Sequence, residues 1–591
     1  MNKIAKFDPL LFKLPKGVIS KNNKVNFYVE FKGETLPSVI YFMVKRDEDA
    51  VYKYIPMERV EGGYFVDYEF EEAGHYWYNF QFVVNGIYYY LNKAFNYKSY
   101  VSEQKGEDYL QLVLEKDYEC TNSMQGGIIY QIFVDRFCKQ GDVSCRNPLI
   151  FRDDWCGDLH KNTADPIYVN LEVFGGNFNG IISKLGYLKD LGVTTIYLNP
   201  IQLANSNHKY NTSDYMKVDD MYGTEAEFKK LIEEAQKQGM QIVIDGVYNH
   251  TGSDSIYFNK DGNFESLGAY NSENSRFFKW FDFYEYPNVY RSWWGIDTLP
   301  SINHECEDFQ DYITGENGVI DKFMSLGVAG VRLDVVDEIT DKFVKKIENR
   351  VHKYGKNKIV MGEVWENAAI KESYSVRRKY FVDGELNSVM NYPVKESILE
   401  YIRTKEPTNL ESTLRMLEND YPKVVKDNLM NFLTTHDTTR VFSELMTVSD
   451  GNDDLAFEYY KLATTLIFTL PGVPSIFYGD EYGMKNNCGS SRGCFDWENY
   501  QNSIYDWFRK LTTIRKYSAL KDGELKILYA DAGKFAFERY NDQERIIVVM
   551  NLKDTKFFVR LDGDFYSFLS GKKIDNVDLG KNQFDIIIEK K

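Results

Sequence analysis

The sequence predicts an α/β chain built on a (β/α)8 TIM barrel, with a loop subdomain inserted after the third strand. An N-terminal β-sandwich precedes the barrel and a C-terminal antiparallel β domain follows it. Three observations carry this prediction. First, a module of amphipathic helix, glycine and short apolar strand recurs, its junctions reading LGVTTIYL, QGMQIVID, LGVAGVRLD and YGKNKIVMGE. Helices alternating with buried strands imply a parallel sheet with helical crossovers. Second, eight candidate strands end at Tyr130–Phe133, Leu198, Asp245, Asp334, Glu363, Met390, Thr435 and Tyr478. Eight such units over roughly 400 residues fit a closed barrel with insertions. Third, the 591 residues exceed what a single hydrophobic core supports and allow roughly three or four domains.

Taken in order, residues 1–118 alternate apolar and polar positions (KVNFYVEF, SVIYFMVKR, HYWYNFQFVVNGIYYYL) between Gly and Asn turns. That pattern reads as an antiparallel β-sandwich. Residues 119–518 hold the barrel. Within it, GTEAEFKKLIEEAQKQGMQIVIDGV shows the module clearly. Thr224 and Glu227 form a T-x-x-E capping box, Phe228, Leu231, Ile232 and Ala235 the buried stripe, and Gly239 the C-terminal stop. The long interval after the third strand is read as an inserted subdomain over about 251–302 containing FFKWFDFYEYPNVYRSWW, and 519–591 returns to strand texture.

Composition narrows the functional classes. With 43% hydrophobic and 27% charged residues the chain is a folded one, and its formal net charge of -17 opposes nucleic-acid and anionic-membrane partners. No apolar run is long enough to span a bilayer, and the N-terminus lacks a secretory pattern. The seven cysteines are scattered without CxxC spacing, which reads as free thiols in a reducing, cytoplasmic setting.

Chemistry concentrates at the strand ends, in DGVYNH (245–250), GVRLDVVDE (330–338), GEVWEN (362–367) and TTHDTTR (434–440). Side chains in a strand alternate faces, so Arg332 and Asp334 point the same way, into the barrel. A charge pair buried in such a strand is costly unless it is paired or used. Asp334, Glu363 and Asp437 converge on one mouth with Arg332, His250 and His436 around them. Arg332 is expected to offset the burial of Asp334 and lower its pKa while Glu363 stays protonated, and one carboxylate held ionised by arginine beside another kept protonated is what glycosidic cleavage requires. A single strand-end carboxylate is often only a salt bridge or cap; three in one mouth point to catalysis. A metallohydrolase is the rival, but no HxH or HExxH pair occurs.

These four segments, in order and spacing, resemble the signature regions of the α-amylase superfamily, glycoside hydrolase family 13. The segments GGNFNGI (175–181), HKYNTSDY (208–215), LPSIN (299–303), VMNYP (389–393) and GVPSIFYGDE (472–481) are similar to it too. The N-terminal β domain and GEVWENA point to its neopullulanase, cyclomaltodextrinase and maltogenic amylase branch. The resemblance implies that Asp334 is the nucleophile, Glu363 the general acid/base and Asp437 the third carboxylate. It implies substrate contacts at Arg332, His250, His436, Tyr210, His208 and Asn249, with Asp245 in support; Arg492, in the loop after the eighth strand where the family pattern is not kept, is read as reaching an outer glucose. The implied activity is retaining hydrolysis of α-1,4 and also α-1,6 bonds in maltodextrins, cyclodextrins or pullulan. Transfer to sugar acceptors is the alternative within the family. A silent carbohydrate-binding or scaffold protein is the alternative outside it, and the intact Asp334, Glu363 and Asp437 set opposes that.

The sequence departs from the family pattern at Asn177, where aspartate is commoner, and most of all in KNNCGSSRGCFDW after the eighth strand. The loop DRFCKQGDVSC has too few regularly placed Asp and Asn oxygens to predict the structural calcium ion that some relatives carry, and no cofactor is expected. The resemblance also raises a homodimer in which the aromatic stretch 76–90 reaches a partner's active site. The alternative is that residues 1–118 pack on their own barrel.

Overall fold

Each barrel strand divides its side chains between two buried layers. In the computed structural model, which describes residues 5–32, 36–119, 124–160 and 166–590, the eight strands are β1 (Ile129–Ile132), β2 (Thr195–Leu198), β3 (Gln241–Gly246), β4 (Gly330–Leu333), β5 (Ile359–Gly362), β6 (Ser388–Val389), β7 (Met430–Asn431) and β8 (Val473–Phe477). They form one parallel sheet in the order β6-β5-β4-β3-β2-β1-β8-β7, and a parallel bridge from Met390 to Met430 closes it. Outward residues such as Val331, Leu333 and Val360 pack under the helices, whereas Ile129, Tyr197, Val243, Ile359, Met361, Met430 and Val473 fill the interior. With a side-chain period of 2, the interior rows continue toward the C-terminal ends as Gln131, Asn199, Asp245, Arg332, Asp334 and Glu363. An apolar lower layer thus carries a polar upper one.

β7 ends earlier than predicted, at Asn431 rather than Thr435. From Phe432 onward hydroxyls replace the ladder: Thr435 N–H donates to Thr438 Oγ1 at 2.9 Å and Asp437 N–H to Thr435 Oγ1 at 3.2 Å. The helix Glu225–Lys237 has the predicted capping box of Thr224 and Glu227. Asn177 caps the helix Phe178–Ser183, accepting the Gly180 N–H at 2.8 Å, so asparagine does there what aspartate would.

Between β3 and β4 a hairpin, Phe283–Glu285 with Val289–Tyr290, covers a cluster in which Phe258 meets Phe281 and Tyr290 at centroid distances of 4.9 and 4.7 Å. These rings pack on one another. Residues 5–114 form a five-stranded and a seven-stranded sheet, and Tyr78, Phe80, Phe82 and Tyr89 of the stretch 76–90 belong to their shared core. The sandwich is fixed to its own barrel by Arg415–Asp8 at 2.5 Å, by His75 Nε2 against the Ala369 carbonyl at 2.8 Å and by Tyr97 Oη donating to Asp420 Oδ2 at 2.8 Å. A six-stranded antiparallel sheet from Glu524–Asp531 to Gln583–Lys590 ends the chain. Among the described residues, no helix is long and apolar enough to cross a membrane. Six cysteines are free thiols; Cys120 lies outside the described residues.

Glu385, just before β6, is 1% exposed, and one of its carboxyl oxygens has no hydrogen-bond partner. Burial, with Asp341 and Asp383 nearby, pushes its carboxyl up from 4.5 to about 9. The folded state therefore keeps a proton that the unfolded chain releases, so this group lowers stability as pH rises from about 4.5 to about 9. Glu385→Gln should match the parent near pH 4.5 and melt at progressively higher temperature than the parent toward pH 9. Parallel melting curves across that range would exclude the buried proton.

Candidate active site

Arg332 is the hub, fully buried on β4. Its Nη1 donates to Asp245 Oδ1 at 2.7 Å and to Asp334 Oδ1 at 2.8 Å, and its Nη2 lies 2.9 Å from Glu363 Oε2. The Nη2 contact lacks hydrogen-bond alignment and is an ion pair only. One guanidinium thus serves three carboxylates. Among the described residues, no donor engages the second oxygen of Asp334. Register pairs Leu333 with Gly362, so Asp334 and Glu363 leave neighbouring strands at one level, about 5 Å apart in backbone spacing.

Glu363 is fixed from two further sides. The Val335 N–H donates to Oε2 at 2.9 Å and the Trp365 indole N–H to Oε1 at 3.2 Å. Val335 adopts φ +46°, a left-handed conformation that a β-branched residue avoids. Such strain, ~1–3 kcal/mol, collects where geometry is over-determined by its surroundings. Here it aims a backbone donor at the carboxyl one strand away.

Asp437 has its own partners. His436 Nε2 stands 2.9 Å from its Oδ2, and Arg492 Nη2 donates to its Oδ1 at 3.1 Å. Arg492 also donates from Nε to the His436 carbonyl at 2.9 Å, so it is anchored beside the third carboxylate. Gln131 and Asn199 amides face His436 Nδ1 at 3.0 and 3.1 Å. With donors on Nδ1, the imidazole proton belongs on Nε2, toward Asp437.

Electrostatics follow from this count of charges. Burial pushes Asp437 up, but His436, Arg492 and Arg332 outweigh it and hold the carboxyl below the usual range. Burial pushes Asp334 well above the usual carboxylate range; Arg332 opposes this, while Glu363, Asp245 and Asp437 add to it. Glu363 is raised by burial too, again against Arg332 and with Asp437 adding. The expectation that Arg332 gives Asp334 a lowered pKa is therefore corrected. One cation shared among three buried carboxylates reduces the cost of their charge without abolishing it, and the Asp334–Glu363 pair retains a proton.

The remaining predicted residues gather around this centre. Tyr210 Oη donates to Asp245 Oδ2 at 2.8 Å, and its ring stacks on His436 with centroids 5.2 Å apart and planes 4° apart. His208 accepts the Tyr210 N–H at Nδ1, 3.1 Å away; burial, then Arg492 and Lys209, lower its pKa to about 3. His250 stacks on Trp293 at 5.1 Å, is lowered to about 4 by burial, and has no partner on its buried Nε2. Asn249 Nδ2 donates weakly to Glu338 Oε2 at 3.4 Å.

Sequence reasoning missed the supports. Gln131, Asn199 and Tyr197, whose Oη donates to Asp245 Oδ2 at 2.7 Å, share the interior parity of their strands, and that parity could have identified them. Trp365 carried no sequence signal beyond standing two residues after Glu363. A cavity of about 500 Å³ opens beside Asp437 and is lined by Arg492, His160, Glu172 and Asn207. Among the described residues, no group of three or more His, Cys, Asp or Glu side chains is placed to hold a metal ion.

The alpha amylase catalytic domain family matches residues 131–503. The chain is 30% identical over 557 residues to an amylopullulanase of Thermoanaerobacterium saccharolyticum, covering 81% of this chain and 42% of that one. It is 31% identical over 445 residues to a cyclomaltodextrinase of Thermoanaerobacter pseudethanolicus, covering 72% and 70%. It thus spans less than half the length of the amylopullulanase. The type III pullulan hydrolase from Thermococcus kodakarensis shares the fold, with a TM-score of 0.70 at 23% identity over 99% of this chain and 100% of that one. With the catalytic-domain match spanning most of the barrel and Asp245, Asp334, Glu363 and Asp437 gathered at its mouth, the chain belongs to the alpha-amylase family.

Proposed function

We propose that the chain is a retaining hydrolase of α-1,4 and also α-1,6 glucosidic bonds in maltodextrins, cyclodextrins or pullulan, acting without a cofactor. One observation carries this reading: Asp334 is tied at Oδ1 to Arg332, has its other oxygen unengaged, and stands one strand from Glu363. In the first step Asp334 attacks the anomeric carbon and the glycosidic C–O bond breaks. The proton retained by the carboxylate pair passes from Glu363 to the departing oxygen. In the second step water gives a proton to Glu363, attacks the same carbon and frees Asp334. The one-strand spacing suits the ~5–5.5 Å carboxyl separation of retaining enzymes rather than the ~6.5–9.5 Å of inverting ones.

The neutral His250, with an unpartnered Nε2, and Asp437, held ionised, supply hydrogen-bonding groups for sugar hydroxyls. Tyr210 supplies a ring for the glucose face. Proton NMR of freshly cleaved maltotriose or pullulan should show the α-anomer first, and a β-anomer first would overturn double displacement. A cytoplasmic setting, suited to six free thiols, and a homodimer through the exposed Ile87 and Tyr88 edge of the sandwich complete the proposal.

A further inference from the structure

A cleft of about 590 Å³ is lined by residues of the N-terminal sandwich and of the barrel, Trp365 among them. Trp365 leads back to the reaction centre. Its indole N–H donates to Glu363 Oε1, and one face of its ring rests on Tyr392, with centroids 3.9 Å apart. The ring is still 47% exposed, and that exposed surface lines the cleft. A general acid must face the departing oxygen, so Trp365 marks the leaving-group side.

Across the cleft the sandwich presents Phe95, 64% exposed, and Tyr100, 37% exposed. Phe95 is held in place: its turn is closed by Ala94 N–H donating to the Lys98 carbonyl at 2.7 Å, and Ser412 Oγ donates to the Phe95 carbonyl at 2.6 Å. Lys98 pairs with Glu411 at 2.9 Å on the same barrel helix, Thr408–Asp420. A large apolar ring is thereby kept in water, forgoing the stabilisation that burial would bring. Glu107, Glu396 and Asn409 line the space between the rings. Glu107 is paired with Lys93 and Glu396 with Lys395, so the lining carries little net charge, and ring faces for C–H groups with acids and amides for hydroxyls suit a neutral sugar chain.

We infer that this cleft binds the leaving-side stretch of a long α-glucan after it passes over Trp365, so that the chain's own N-terminal domain selects for substrate length. The inference rests on the function proposed above. The test compares the parent with the Phe95→Ala/Tyr100→Ala double variant on amylose and on maltotriose. Removing two ring contacts should lower kcat/KM on amylose about tenfold, with maltotriose hydrolysis and the melting temperature unchanged.

Equal losses on both substrates, or no loss on either, would overturn the cleft's role. A changed sedimentation coefficient with an unchanged length preference would mark the surface as a contact between copies and overturn it as well. Should the parent hydrolyse no α-glucan, the proposed function fails, and mobility in a native gel containing amylose decides the cleft separately. Retardation of the parent but not of the double variant supports it, and no retardation of the parent refutes it.

Discussion

Asp334→Asn and Glu363→Gln each lower turnover on maltodextrins by on the order of a thousandfold or more, with the fold retained. Both substitutions are close in shape, and both reduce crowding of charge around Arg332, so melting temperatures should not fall. The two variants separate on an activated substrate. With α-glucosyl fluoride the leaving group needs no proton, so Glu363→Gln should recover much of its first-step rate while Asp334→Asn should not. A folded Glu363→Gln enzyme with near-parental activity on maltodextrins, or equal rescue of both variants, would remove the assigned roles.

Arg332→Met should have the largest effect on stability. Arg332 is fully buried and contacts Asp245, Asp334 and Glu363 within 2.9 Å. Removing one side of a buried ionic group costs about 3–5 kcal/mol, because the charges left behind lack compensation. The sign with pH follows from the carboxyls. Without the cation, the folded-state values of Asp334 and Glu363 rise further above the unfolded ones, so stability falls more steeply as pH increases through the raised range. The variant should therefore lie closest to the parent near pH 5 and farthest from it near pH 8, with turnover lost throughout. Melting curves that coincide with the parent's at pH 8 would show that Arg332 does not neutralise this cluster.

Much of this arrangement was legible because β strands enforce parity. Arg332 and Asp334, two residues apart in an otherwise apolar run, had to share a face, and the glycine-led junctions located the strands that bring Asp245 and Glu363 beside them. The end of β7 was not legible. Side-chain hydroxyls of Thr435 and Thr438 compete with the ladder there, and apolar patterning carries no trace of that competition. The position of Arg492 was equally hidden, since a loop after the eighth strand has no period to fix where its side chain lands. The pKa of Asp334 was misjudged for another reason: the sequence showed the nearest cation but not how many carboxylates share it.

The polar layer inside the barrel has an evolutionary consequence. Arg332, Asp245, Tyr210, Asn199, His436 and Asp437 form one unbroken run of contacts, each 3.1 Å or shorter, across four different strands and loops. Because each member already uses its polar atoms on two neighbours, substitutions within the run should be strongly epistatic, the effect of one depending on which others are present. Selection for a new glucan can then act far more freely on the sandwich edge and on those loop residues that lie outside this run. The strand ends would change little while the rim diversifies, and one chemistry would serve many glucan architectures.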